Sequence, residues 1–224
     1  VGQTFGFLTN KNKELRNDLI QSGNNAMMLG KSLSDVLSAH DRQKLICKLL
    51  IRTLNMLTAS ECIENTIVIS EDETVLKLAA KQGVFTLKED SPSDLNSALH
   101  QATLETMSHG ATGLLILPVD LPLLDKRDLE KMTVTKDSNR KVMIVPDQHG
   151  VGTNALFIRP PGILRYQFGQ DSLSAHKQEA NRLRAKSYIC HLPNVEFDID
   201  DPDDLVRLEH AALYTQKQEV QGNG

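Results

Sequence analysis

Short apolar runs alternate with longer stretches of helical periodicity along most of this chain. Thr66-Ile67-Val68-Ile69-Ser70, Val84-Phe85-Thr86-Leu87, Val142-Met143-Ile144-Val145 and Ala155-Leu156-Phe157-Ile158 read as strands. Gly113-Leu114-Leu115-Ile116-Leu117-Pro118 is apolar throughout, as expected of a central strand covered on both faces. Between these runs, apolar positions recur at helical spacing. The pattern predicts helices over 38–58, with Ser38 as cap, over 73–82, ended by Gly83, and over 93–107, capped by Ser93 or Asp94. Further helices are predicted over 125–132, 172–186 and 203–214. Glu196-Phe197-Asp198-Ile199-Asp200 reads as a last short strand. Strands that alternate with helices predict a three-layer α/β/α fold with a mostly parallel, mixed sheet.

The two ends depart from this pattern. Val1 to Leu8 is weakly apolar and interrupted by glycine, and residues 9–25 are largely Asn, Lys, Gln, Glu, Arg and Asp. Residues 1–28 are therefore expected to be an atypical polar leader, open to disorder. The folded domain is expected to span 29–214, and 215–224 to be a flexible tail.

Composition narrows the function classes. At 224 residues the chain fits one domain with a full core. A net charge of −4, 4% aromatics and no Trp argue against a nucleic-acid partner. No apolar run approaches the ~18–20 residues of a membrane span, and no secretory signal pattern opens the chain. A soluble cytoplasmic protein with no membrane partner is the expectation. Cys47, Cys62 and Cys190 lack metal-site or disulfide-framework spacing and read as idle thiols in a reducing compartment.

Four segments carry candidate chemistry. Asp120 directly follows the strongest strand, between Pro118 and Pro122. Ligands of open α/β sheets bind beyond the carboxyl ends of strands, so a carboxylate there can hold a hard cation or merely cap the next turn. In Asp198-Ile199-Asp200-Asp201-Pro202-Asp203-Asp204, helix capping accounts for Asp201, Asp203 and Asp204. Strand alternation would put Asp198 and Asp200 on one face, free for Mg²⁺, which takes few carboxylates plus phosphate oxygens. In Phe168-Gly169-Gln170-Asp171-Ser172, a helix begins after a glycine turn, which suits either phosphate or an ordinary cap. In Pro146-Asp147-Gln148-His149-Gly150-Val151-Gly152-Thr153-Asn154, the successive N–H groups can form an anion site, or the segment can be a long hairpin turn. From this loop alone the hairpin weighs more. His149 and His176 lack a nucleophile or metal context and read as structural polar residues. Lys31-Ser32 is not a P-loop, because Asn25 stands where the upstream glycine belongs.

Taken together, these segments resemble the CofC/FbiD family of guanylyltransferases in coenzyme F420 biosynthesis. The resemblance rests on Gly30-Lys31-Ser32-Leu33, Asp94-Leu95-Asn96, Leu117-Pro118-Val119-Asp120, Gly152-Thr153-Asn154-Ala155-Leu156, Phe168-Gly169-Gln170-Asp171-Ser172 and Asp198-Ile199-Asp200, within about residues 29–208. It implies the nucleotide-diphospho-sugar transferase (GT-A-like) fold. It also implies transfer of GMP from GTP to a phosphorylated three-carbon acid: phosphoenolpyruvate, 2-phospho-L-lactate or 3-phosphoglycerate. By that resemblance Asp120 and Asp200 are catalytic and hold Mg²⁺, with Asp198 as the alternate ligand. Thr153, Asn154, Gly169 and Ser172 surround the acid, Lys31 and Asn96 lie toward the nucleotide, and a homodimer is left open. The family opens with an apolar strand and a basic loop ending in Lys-Ser-Arg-Leu, whereas here Lys31-Ser32 runs into Leu33. Two alternatives follow: a non-catalytic acid-binding protein lacking the GTP site, or a related nucleotidyltransferase of the molybdenum-cofactor or sugar-phosphate type.

Overall fold

The computed structural model describes residues 4–9, 33–90, 94–134 and 140–208. The elements in chain order are β1 (Thr4–Thr9), α1 (Ala39–Thr58), β2 (Asn65–Ser70), α2 (Glu73–Lys81), β3 (Phe85–Lys88), α3 (Leu95–Ser108) and β4 (Gly113–Pro118). They continue with α4 (Lys126–Thr133), β5 (Lys141–Pro146), β6 (Thr153–Arg159), α5 (Ser172–Arg182), β7 (Lys186–Ile189) and α6 (Pro193–Glu196). Residues 202–208 form a further helix, α7. The described strands make one sheet in the order β3-β2-β1-β4-β6-β5-β7. Neighbours run parallel except β6, which is antiparallel to both β4 and β5.

The apolar run of β4 is explained by burial on both faces. Leu115 and Leu117 join a core with Leu50, Leu54 and Leu57 of α1, Ala79 of α2 and Leu129 of α4. Leu114 and Ile116 join a second core with Leu99 and Ala102 of α3 and Ala180 of α5. The period of two thus sorts one strand between two helical layers, giving the predicted α/β/α sandwich. Each fully buried leucine is worth about 1.5–3 kcal/mol relative to exposure. Polar residues end the helices as expected. Ser38 caps α1, Asp72 caps α2 and Asp94 caps α3, while Asp125 and Asp128 form a reciprocal capping box on α4. No described helix is long and apolar enough to cross a membrane.

The structure departs from the sequence reading in three places. Thr4–Thr9 is no leader: β1 lies between β2 and β4, with Phe7 level with Ile67 and Ile116. The glycine that weakened its pattern has a packing reason. A Cβ on Gly6 would lie 3.0 Å from Ile63 Cγ2 and 3.6 Å from Leu57 Cδ2, so glycine lets these side chains press on the strand. The rest of the expected leader, 10–28, lies outside the described residues, as does the tail.

Second, α5 stops at Arg182 and a seventh strand follows. Arg184 adopts φ 52°, and the N–H groups of Arg184 and Ala185 return to Asn181 O and Ala180 O at 3.0 Å each. This is a Schellman stop built on arginine where glycine is usual, so the sequence carries no stop signal there. The edge strand β7 is short and largely exposed. Third, 196–200 is no strand. Pro193–Glu196 makes a helical turn, and 197–200 continues as irregular backbone.

Candidate active site

The antiparallel β6 sets the location of the site. Because it runs against β4 and β5, its first residues lie at the same sheet edge as the ends of those strands. Register Ile116↔Leu156, extended two residues, brings Pro118 level with Asn154. Asp120, Asp147 and Thr153 therefore share the carboxyl rim of the sheet, where ligands of such folds bind.

Asp120 is fully buried. Its backbone carbonyl accepts a 3.1 Å hydrogen bond from Ile199 N, which docks the second acidic segment beside it. Asp198 is buried and Asp200 is exposed, so the expected same-face pair is replaced by one inward and one outward carboxylate. This follows from the loss of strand geometry. Asp201 and Asp204 serve the helix, as expected. Asp204 N donates to Asp201 Oδ1 at 3.0 Å, and Asp201 N returns to Asp204 Oδ2 at 3.2 Å. Among the described residues no group of three or more His, Cys, Asp or Glu could by itself hold a metal ion. The backbone bond sets two carboxylate-bearing segments side by side, with Asp120 and Asp198 both buried. That set fits Mg²⁺, which completes its shell with water and phosphate oxygens.

Asn154 holds this acidic segment in place. Its buried amide Nδ2 donates to both Val195 O and Glu196 O at 3.0 Å. The amide nitrogen thus bridges β6 to the segment leading to Asp198. Arg207 adds a second tie that the sequence reading missed. It donates to Gln148 Oε1 at 2.7 Å and to Asp204 Oδ1 at 3.3 Å, and lies over the Phe197 ring. No spacing rule connects residues 59 positions apart.

The glycine loop is not the anion cradle its N–H groups suggested. Asp147 fills it: Val151 N donates to Oδ1 and Gly152 N to Oδ2, each at 2.9 Å. A Cβ on Gly152 would run into that carboxylate, and Gly150 sits at φ 68°. The glycines serve the loop's own closure. The loop also reaches α5, since Val151 O accepts from Leu173 N at 3.1 Å.

The residues expected around the acid converge differently. The β5–β6 register slips between Val145 and Pro146, so Pro146 pairs with Thr153. Such a bulge re-aims side chains, and here Thr153 meets α5. Its Oγ1 lies 3.0 Å from His176 Nδ1, and both residues are fully buried. His176 Nε2 accepts from Gln167 N at 3.1 Å. Ser172 is buried one turn before His176, at the first position of α5. Asp171 occupies the cap position in a left-handed conformation and makes no side-chain cap bond. The ordinary cap role expected for this segment is therefore absent. Gly169 adopts φ 130°, with nothing within 4 Å of where a Cβ would sit, so conformation rather than space calls for glycine. Asn96 turns its side-chain amide onto the backbone of Phe168. Its Oδ1 accepts from Phe168 N at 2.8 Å and its Nδ2 donates to Phe168 O at 3.1 Å, clamping the turn before Gly169. Lys31 lies outside the described residues.

Burial pushes the His176 imidazole down from 6.5 to about 4. The unfolded chain takes a proton near 6.5 that the folded chain refuses until about pH 4. This contribution to stability is complete above pH 6.5 and is lost as pH falls toward 4. The loss is expected to reach about 2–3 kcal/mol. Urea unfolding at pH 7, 5.5 and 4.5 should show this slope, and His176→Gln should remove that part of it. An unchanged slope in the variant would show that the imidazole titrates normally.

Comparison with known proteins follows the same lines. The family described as "Guanylyl transferase CofC like" matches residues 22–217. A phosphoenolpyruvate guanylyltransferase of Rubrobacter xylanophilus is 38% identical over 147 residues, 66% of this chain and 71% of that protein. One from a Roseiflexus species is 37% identical over 177 residues, 79% and 77% of the two chains. Among solved structures, 4-diphosphocytidyl-2C-methyl-D-erythritol synthase from Anaerococcus prevotii superposes with TM-score 0.61 at 11% identity, covering 96% of each chain. A nucleotidyl transferase from Methanothermobacter gives 0.61 at 13% identity, over 96% of this chain and 99% of the other. At such identity these two attest the fold alone.

Proposed function

The chain belongs to the CofC-like guanylyl transferases, and from that premise we propose that it joins GMP from GTP to phosphoenolpyruvate, with release of pyrophosphate, as a step toward coenzyme F420. The supporting observation is the convergence at one sheet rim of two hydroxyls, Thr153 and Ser172, with the buried carboxylates Asp120 and Asp198. Donors to one anion and ligands for a cation are what a phosphorylated acid and a triphosphate require together.

In this reading a phosphate oxygen of the acid attacks the α-phosphorus of GTP. The new O–P bond forms as the bond to the β-bridging oxygen breaks. The attacking oxygen is already ionised near neutral pH, so no general base is needed. The site agrees with this, since both ring nitrogens of His176 are engaged in hydrogen bonds. Thr153, Ser172 and the turn at Gly169 orient the acid, and Asn154 keeps the Asp198 segment in position. Asp120 and the inward Asp198 would hold Mg²⁺, with the exposed Asp200 beside them, and the ion would supply charge neutralisation at the phosphates.

The test is pyrophosphate release from GTP and Mg²⁺ with phosphoenolpyruvate, 2-phospho-L-lactate and 3-phosphoglycerate in turn. Turnover is expected to be fastest with phosphoenolpyruvate, and no release with any of the three would sink the proposal. Ser172→Ala should raise KM for the acid about tenfold while kcat changes little, as expected for a lost hydrogen bond to a charged group. An unchanged KM would leave Ser172 a packing residue.

A further inference from the structure

We propose that Gln148 and Arg207 are positioning residues of the metal half of the site, locking the acidic segment that carries Asp198 to the glycine loop through the buried carboxylate of Asp204. This inference rests on the metal reading above. Its basis is what Asp204 does beyond capping its helix. A capping box asks one bond of this side chain, the one from Asp201 N. Here Oδ2 accepts from Asp201 N at 3.2 Å and also from Asp200 N at 3.0 Å, ahead of the helix. Oδ1 faces the glycine loop, where Gln148 Nε2 lies 3.4 Å and Arg207 Nη1 3.3 Å from it. Arg207 Nη1 also donates to Gln148 Oε1 at 2.7 Å. A guanidinium can only donate, so it sets the Gln148 amide with its oxygen toward Arg207 and its NH₂ toward Asp204. The three side chains thus close a ring between a loop and a helix 56 to 59 positions apart.

Both ends of this lock are anchored. The loop is closed on Asp147, which accepts from Val151 N and Gly152 N, and Val151 O accepts from Leu173 N of α5. At the other end, the Arg207 guanidinium lies 5.0 Å from the ring centroid of Phe197, the residue before Asp198. Asp204 holds the amide of Asp200, two residues beyond Phe197's neighbour Ile199's predecessor, Asp198. Asp198 is therefore gripped on both flanks, by a ring before it and an amide after it. Arg207 is exposed and Asp204 is buried. An ion pair with an exposed partner adds little to global stability. Its consequence is local: it sets where the Asp198 carboxylate stands relative to Asp120.

Three substitutions open the lock in different ways. Arg207→Met keeps an apolar stem over Phe197 and loses the donors, whereas Arg207→Lys restores a cation that donates. Asp204→Asn can keep an oxygen toward Asp200 N and Asp201 N, but it turns an amide donor toward Gln148 and Arg207. At a temperature where each variant is folded by circular dichroism, Arg207→Met, Asp204→Asn and Gln148→Ala are each expected to lower kcat about fivefold, with KM for phosphoenolpyruvate within about twofold. Binding of Mn²⁺–GTP without acid, read by water proton relaxation, should weaken about fivefold in Arg207→Met. Its thermal midpoint should fall by no more than about 3 °C. Arg207→Lys should recover most of both losses. Gln148→Ala combined with Arg207→Met should be little worse than either alone, because the two share one link. Wild-type kcat and Mn²⁺–GTP affinity in Arg207→Met, equal losses with Met and Lys, or full additivity with Gln148→Ala would each overturn the proposal. If Asp204→Asn fails to fold, the Arg207 and Gln148 variants decide. A wild-type chain that turns over none of the acids and binds no Mn²⁺–GTP removes the metal reading and the proposal with it. Wild-type turnover with indifferent variants removes the proposal alone.

Discussion

Asp120→Asn is expected to lower kcat at least about a hundredfold while the fold persists. The carboxylate is fully buried at the end of the central strand β4, where a charge is costly unless something cationic uses it. Asn has the same shape but no charge, and its amide would present a donor where the proposed Mg²⁺ would bind. The tie that docks the acidic segment uses the backbone oxygen of Asp120, accepting from Ile199 N, and survives the change. The thermal midpoint should therefore stay within a few degrees of wild type, since the packing and this backbone bond are kept. Turnover by pyrophosphate release and the melting midpoint, measured together, check both halves. Near-normal turnover would remove Asp120 from the metal set. A large fall in the midpoint with proportionate loss of activity would make it a structural residue.

The fold was legible wherever local pattern and tertiary role agree. Burial on both faces makes β4 continuously apolar, and the caps Ser38, Asp72, Asp94 and Asp125 sit where polar residues precede helical periodicity. What could not be read was made by long-range contact. The glycine in β1 looked like a break because its reason, the approach of Leu57 and Ile63, lies more than fifty positions away in the chain. The Arg184 stop hid β7 because arginine rarely takes that conformation. The reading of 1–28 as leader had made a chain without a GTP site a serious alternative. With Thr4–Thr9 in the sheet centre, the missing first strand no longer supports it.

For the proposed site, the sequence shows which segments lie toward one rim but not what their side chains touch. Asp120, Thr153, Ser172 and the Asp198 segment do gather at one rim. Yet the glycine loop closes on its own Asp147, and the amides of Asn96 and Asn154 hold backbone. Glycine and asparagine in a loop signal an unusual backbone, and they do not say whether its N–H groups face a ligand or a neighbouring side chain. His176 is the structural polar residue it reads as, but its partners, a strand start 23 positions away and a turn 9 positions away, follow from no spacing rule.

Asn154→Ala should then be the most damaging change among the residues that touch no reacting atom. It removes two hydrogen bonds at once and leaves Val195 O and Glu196 O short of their donor beneath a buried strand end. Leaving a buried carbonyl unsatisfied costs about 1–3 kcal/mol, and the half-buried Glu196 O costs less because water can reach it, so a loss of about 2–4 kcal/mol is expected. For a chain of this size that lowers the thermal midpoint by about 5–15 °C. The kinetic effect should exceed what stability alone explains, because the same two carbonyls anchor the backbone just before Asp198 and Ile199. With that anchor gone, the bonds from Ile199 N to Asp120 O and from Asp200 N to Asp204 Oδ2 and the Arg207 contacts still tie the segment. At a temperature where the variant is fully folded, kcat should fall tenfold or more, since positioning errors of about 1 Å cost that much and more. KM for the acid should move less, because Thr153 on β6 and Ser172 on α5 remain in place. The discriminating measurement is kcat at 15 °C beside circular dichroism at the same temperature. A folded variant with normal kcat would show that Asn154 serves stability only, and that the Asp198 segment keeps its position without it.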